Sequence, residues 1–219
     1  MFKTLQSNLV DKWINGKRKG SPSNLRKWTI PEVNYVYREL PYTGINGNYG
    51  ENDKSQKDYK MLRSSIIPII NMDGENYWLL GSFHDYVGIG DPILTDFGGR
   101  KEKKTETPLD CALRELKEES KGLLTEPVLK ALSYKGNDRK VTVFEGRDDE
   151  NKQKIYFFIV VLNYNDVKDI PKRFEKVPYL TKEKLGPINF YPQNSIRSRG
   201  LRTSKNLTDF VSYLNQYRY

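Results

Sequence analysis

The sequence predicts a mixed α/β domain with strands on either side of one central helix. Three observations carry this. Apolar runs of strand length recur between residues 65 and 97 and again between 141 and 162. An Asp-Gly pair at 73–74, between two of those runs, is the strongest short hairpin signal. A well-capped amphipathic segment, Thr107 to Gly122, separates the two groups of strands.

Taken in order, residues 2–14 are expected to form a helix, because Phe2, Leu5, Leu9, Val10 and Trp13 fall on one face. The basic tract GKRKGSPS, residues 16–23, breaks it, and the Gly- and Asn-rich stretch 41–58 reads as a loop or linker. Residues 1–61 are therefore expected to be a basic helical and loop-rich extension, with the regular domain at 62–219. Ser65 to Ile70 is a strand whose Pro68 suggests an edge or a bulge. Tyr77 to Phe83 is its hairpin partner, and Ile93 to Phe97 is a short strand running into Gly98-Gly99. Val128 to Tyr134, Val141 to Phe144 and Ile155 to Leu162 complete the strands. Residues 204–217 close the chain as a helix with Leu207, Phe210, Val211 and Leu214 on one face.

The 219 residues are 37% hydrophobic and 12% aromatic, enough to bury a core and exclude wholesale disorder. The mean hydropathy of −0.75 places some segments outside that core. No apolar run approaches the roughly 20 residues of a membrane span. Met1 to Ile14 mixes Lys3, Asp11 and Lys12 into its apolar residues, unlike a signal peptide, so a cytoplasmic location with no membrane partner is expected. The single cysteine, Cys111, cannot form an internal disulfide, and with a single histidine, His84, the Cys- and His-based metal sites are excluded. Any metal must be held by carboxylates. Charge is uneven: net +6 over residues 1–63, −4 over 64–130 and +7 over 131–219. That pattern suits solvated surface charge, and it equally suits a central cation site with polyanion-binding groups at both ends.

Thr107 is a helix N-cap, Pro108 takes the first helical position, and Asp110 is placed to reach back as in a capping box. Leu109, Ala112, Leu113 and Leu116 form the buried stripe. Glu115, Glu118 and Glu119, spaced i, i+3, i+4, share one face and repel one another. A hard divalent cation would remove that repulsion. The spacing is also that of an ordinary charged helix surface, with Lys117 and Lys121 as compensation.

The run Gly99 to Gly122, GRKEKKTETPLDCALRELKEESKG, resembles a Nudix box. Gly99, Glu106, Arg114, Glu115, Leu116, Glu118, Glu119 and Gly122 fill the typed positions in order. It departs by one extra residue between Gly99 and Glu106 and one between Glu119 and Gly122. Neither insertion moves the three glutamates relative to one another. The resemblance implies an α/β/α sandwich with a mixed sheet, and hydrolysis of a phosphoanhydride in a nucleoside diphosphate linked to another group, with Mg²⁺ or Mn²⁺. Carried over by residue, Glu115, Glu118, Glu119 and the Gly99 carbonyl would hold the metal, and Glu118, Glu119 and Arg114 would be the catalytic set. Arg114 would orient a glutamate. Glu106 would help position the loop and metals, and with Arg100, Arg197, Arg199 and Arg202 it belongs to the expected substrate-binding set. Glu175 and Glu183 lie where some members of the family carry the general base. Arg100, Lys101, Lys103 and Lys104 stand beside the loop as candidates to grip phosphate. Cys111 reads as inert packing and His84 as structural.

The leaving group is set outside the motif. A small or medium nucleotide-derived substrate, such as a nucleotide sugar or a dinucleoside polyphosphate, or a related pyrophosphate is the first reading, with inositol pyrophosphates also left open. An RNA 5′ end or cap is the second. It draws on Lys17-Arg18-Lys19, on Arg197, Arg199, Arg202 and Lys205, and on fifteen tyrosines and three tryptophans available for stacking. A non-hydrolytic nucleotide- or RNA-binding module is a third class. It would most simply have lost a ligand carboxylate, and all three are present. Oligomeric state is left open by the sequence.

Overall fold

The computed structural model describes residues 35–47, 49, 60–83, 93–103, 105–136, 140–148, 151–179, 186–198 and 203–216. The chain divides into two compact units, residues 1–33 and 34–219, and the described residues all belong to the second. The expected helix at 2–14, the GKRKGSPS tract, His84, Lys104, Glu183, Arg199 and Arg202 lie outside the described residues, as do the side chains of Arg197 and Lys205.

Among the described residues, eight strands form one mixed sheet: β1 (Val36–Leu40), β2 (Lys60–Met72), β3 (Glu75–Phe83), β4 (Ile93–Thr95), β5 (Phe97–Gly99), β6 (Val141–Asp148), β7 (Gln153–Val161) and β8 (Asn189–Pro192). Their order is β1-β6-β7-β2-β3-β4, with β5 paired to β2 and β8 to β3. Every pairing is antiparallel except β2 with β7. The β2–β3 hairpin turns on Asp73 and Gly74, both at positive φ (53° and 79°), as a turn matching the twist of its strands requires.

Among the described residues there are six helices: α1 (Pro108–Glu119), α2 (Thr125–Leu132), α3 (Tyr164–Val167), α4 (Ile170–Phe174), α5 (Gln193–Ser198) and α6 (Lys205–Gln216). Residues of α1 to α4 join one core cluster, with Ile66, Ile70, Phe97 and Phe158 of the sheet. Residues of α5 and α6 join a second, with Ile67, Trp78, Phe144 and Phe157. Helices thus cover both faces, giving the expected α/β/α layering. Double coverage explains why β2 and β7 read as apolar runs rather than alternating ones. On the α6 side, Phe157 and Phe210 stack with ring centroids 4.2 Å apart.

The helix α1 forms as its sequence dictates. Thr107 Oγ1 accepts from the Asp110 N–H at 3.1 Å, and the Thr107 N–H donates to Asp110 Oδ2 at 3.2 Å. Leu109, Ala112 and Leu116 are fully buried, at about 1.5–3 kcal/mol for each leucine. The helix ends where Lys121 (φ 54°) and Gly122 (φ 78°) enter the left-handed region, and the Gly122 N–H returns to the Lys117 carbonyl at 2.7 Å.

Four expectations are corrected. The sheet begins well before residue 62: β1 pairs with β6, and Tyr49 is buried against Phe158. The strand VYREL was masked by its two charged residues. Residues 128–134 are not a strand, since α2 covers Thr125–Leu132. Leu124, Val128 and Leu132 are buried at a four-residue spacing that the short apolar run concealed. Pro68 lies in the interior of the sheet, beside Val160 of β7, and the bulge in β2 falls at Met61/Arg63 instead. Proline is tolerated there because residue 68 falls between the registers of β5 (64–66) and β3 (69–72). Lys121 does not compensate the glutamate face: its Nζ is buried, donates to the Phe174 carbonyl at 2.8 Å and lies over the rings of Phe174 and Tyr179.

Candidate functional site

β5 delivers Gly98 and Gly99 to the flank of α1. Both positions demand the absence of a side chain for lack of space. A Cβ on Gly98 would stand 2.0 Å from the Ser65 Cβ, and one on Gly99 would stand 2.2 Å from Glu115 Oε1. The Glu115 carboxylate therefore lies directly against the Gly99 backbone. The β2 strand ties in the start of the helix, where Ser64 Oγ donates to the Pro108 carbonyl at 2.6 Å.

Arg114 is the centre of the loop–helix junction. Its Nε donates to Glu106 Oε1 at 2.9 Å, its Nη1 to Glu115 Oε1 at 2.7 Å, and its Nη2 to the Arg100 carbonyl at 2.8 Å. Glu102 and Glu118 stand 3.5 and 3.7 Å from the same Nη1. A planar guanidinium with forked donors can hold several acceptors at once where a lysine cannot. Glu106 takes a second bond from the Glu102 N–H at 2.9 Å. Burial alone would raise the Glu106 carboxyl, but the bonds from Arg114 and from the backbone outweigh it and hold it below its usual range.

Glu119 turns the other way. Its Oε2 accepts from the Gly98 N–H at 2.8 Å. Burial pushes its carboxyl up to about 9, with the charge of Asp96 adding to the rise and Arg63 and the Gly98 N–H opposing it. Asp96, between β4 and β5, is completely buried. Its Oδ1 accepts from Arg63 Nη2 at 2.9 Å and from Thr95 Oγ1 at 3.2 Å. Its Oδ2 and the Arg63 Nε are buried without a hydrogen-bond partner.

Gly99, Glu106, Arg114, Glu115 and Glu119 are thus brought into one junction. Glu118 keeps 25% of its side chain exposed, against 7% for Glu115. The Glu106 carboxylate is engaged by Arg114 and the Glu102 N–H, which ties the loop to the helix. Arg100 contributes its carbonyl to the junction while the residue itself is exposed. Cys111 is buried and its thiol is pushed up to about 12, chiefly by burial, as suits packing rather than reactivity. Glu175 is exposed at the end of α4.

Three carboxylates and a backbone carbonyl are an all-oxygen donor set, and that chemistry fits a hard divalent cation. Glu119 fits it further, since a carboxyl that burial drives toward its neutral form regains its charge beside a cation. Among the described residues, no group of three or more His, Cys, Asp or Glu side chains is arranged to enclose a metal ion. Glu115 is held by Arg114 and lies against Gly99, while Glu119 is held by the adjacent Gly98 N–H. Arg63 and Asp96 were missed by the sequence reading. The available signal was one carboxylate inside the apolar strand run ILTDFGG.

No family model matches the chain. Over 94 residues, 41% of the chain, it is 33% identical to the uncharacterized protein L534 of Acanthamoeba polyphaga mimivirus, and the match spans 30% of that protein's length. Among solved structures, it is similar to the NUDIX domain of Shewanella oneidensis NrtR complexed with ADP ribose. There the TM-score is 0.43 and the identity 10%, over 78% of this chain and 96% of that one. It is also similar to a mutT/nudix family protein from Listeria innocua, with a TM-score of 0.42 and 13% identity over 71% and 91% of the two chains. A C. elegans Ap4A hydrolase gives a TM-score of 0.35 and 10% identity over 71% and 95%. The functional reading rests on the residues of the junction.

Proposed function

We propose that the chain is a divalent-cation-dependent hydrolase of a phosphoanhydride bond in a nucleoside diphosphate linked to another moiety. The observation that supports this most is the convergence of separated motif residues at one junction: Gly99 against Glu115, and Glu106 against Arg114. Glu115, Glu118, Glu119 and the Gly99 carbonyl would hold Mg²⁺ or Mn²⁺. Such a cation would supply neutralisation of phosphate charge and a lowered pKa for a water.

The chain's own groups have distinct parts in this reading. Arg114 holds Glu115, and Glu106 holds Arg114, which ties the loop to the helix. Glu118, the more exposed carboxylate, is placed for the substrate side. Arg100 and its neighbouring lysines, with Arg197, Arg199 and Arg202, would bind phosphates away from the reacting phosphorus. A second reading, cleavage at an RNA 5′ end or cap, draws on the basic stretches flanking the acidic middle of the sequence.

The test is hydrolysis by the full chain of nucleotide sugars, dinucleoside polyphosphates, inositol pyrophosphates and capped RNA, each with Mg²⁺ and Mn²⁺. Cleavage of one class, abolished by EDTA, is expected. No cleavage of any class, with Mn²⁺ binding retained, would favour the non-hydrolytic module.

A further inference from the structure

The sheet brings residues of the two basic flanks of the sequence together on the face that α1 covers. Arg38 of β1 stands opposite Glu145 of β6, and Glu145 opposite Tyr156 of β7. Tyr156 is in register with Ser64 of β2, and Ser64 with Gly99 of β5. One lateral row therefore runs from Gly99, at the candidate site, to Arg38. Its members share a face. Gly99 lies against Glu115, Ser64 donates to the Pro108 carbonyl, and Tyr156 joins the core cluster of α1. Arg38 and Tyr156 both donate to Glu145. Four strand spacings put Arg38 roughly 19 Å from Gly99.

Glu145 organises the far end of the row. It is completely buried, and Arg38, Arg147 and Lys154 converge on it. Its Oε1 accepts from the Nε of Arg38 at 3.0 Å and from the Nε of Arg147. Its Oε2 accepts from the Tyr156 hydroxyl at 3.0 Å and lies 4.0 Å from Lys154 Nζ. Arg147 and Lys154 stand opposite each other, toward the same end of the sheet at which Arg100 follows Gly99. The bond to Nε fixes the guanidinium of Arg38, while 45% of that side chain stays exposed. A guanidinium held in this way offers its outer, forked donors to a phosphate.

We propose that Arg38, held by Glu145, contacts a backbone phosphate of an RNA whose 5′ end lies at the candidate site. The inference rests on the RNA 5′-end reading above. A nucleotide sugar or a dinucleoside polyphosphate carries its phosphates in one block, which the candidate site would take. A chain with a phosphate at every nucleotide presents one there and another at Arg38.

Fluorescence anisotropy of the full chain with labelled capped RNAs of about two and about eight nucleotides, in EDTA to prevent turnover, tests this. The wild-type chain is expected to bind the longer RNA at least roughly tenfold more tightly. Arg38→Gln should cut that gain by roughly three- to tenfold and lower the log–log salt slope for the longer RNA by about 0.7. Arg38→Lys keeps the charge and should keep the slope. A merely structural arginine would weaken both lengths by the same factor. That result, an undiminished gain with length in Arg38→Gln, or a lowered slope in Arg38→Lys overturns the inference and leaves the RNA reading intact. A wild-type chain that gains nothing from length removes both.

Discussion

Glu119 makes the sharpest statement available for a single residue, because its folded-state carboxyl is held near 9 against an ordinary 4.5. A carboxyl raised on folding stabilises the protein while it is protonated and opposes folding once it is charged. With no divalent cation present, stability should fall as pH rises from about 4.5 to about 9, and Glu119→Gln should flatten that fall. Thermal melts in EDTA across this range check it; a variant that melts in parallel with wild type at every pH would contradict the placement of Glu119. Glu118 gives the complementary case. In the proposed role its loss should lower kcat on the order of 10²-fold or more, with the melting temperature little changed. Steady-state kinetics with Mg²⁺ in excess measure this.

At the scale of the element, the loop and α1 depend on two local devices. Thr107→Ala removes the side-chain half of the capping box and should cost about 1 kcal/mol, read from urea unfolding. Gly99→Ala should act differently, because the new methyl would meet a buried carboxylate that Arg114 already holds. We expect it to reduce activity by more than its effect on the unfolding midpoint accounts for, since displacing Glu115 also breaks the bond to Arg114. An unchanged rate would separate Glu115 from the chemistry. This element was also the most legible in the sequence, because capping residues, apolar stripe and glutamate spacing are all local and agree with one another. The Asp-Gly hairpin was legible for the same reason. What the sequence hid was long-range. β1 is a strand because Val36–Leu40 aligns with β6 more than a hundred residues away. Residues 125–132 are helical because their apolar positions meet the same core as α1. Arg63 and Asp96 lie 33 residues apart, and each alone reads as a stray charge in a strand.

At the scale of the whole molecule, the sequence runs basic, acidic, basic, while the described residues place the junction on the acidic middle segment. In the proposed reading the flanks contribute phosphate binding rather than rate. Replacing Arg197, Arg199 and Arg202 together by Ala should raise KM more than it lowers kcat. Fluorescence anisotropy with a labelled capped RNA at several salt concentrations then separates the two substrate classes. An RNA substrate gives a steep salt dependence, whose log–log slope drops by roughly 0.7 for each phosphate contact removed by the triple substitution. A small nucleotide substrate gives no RNA binding at low salt.

In the proposed reading, Glu115, Glu118 and Glu119 hold a divalent cation that the hydrolysis requires. Isothermal titration of the EDTA-treated chain with Mn²⁺, beside the same titration of Glu118→Gln, tests it most directly. Binding by the wild-type chain is expected to be saturable and at least tenfold weaker in the variant, with both proteins equally folded. Equal affinity in the two, or no binding by the wild-type chain, would contradict it.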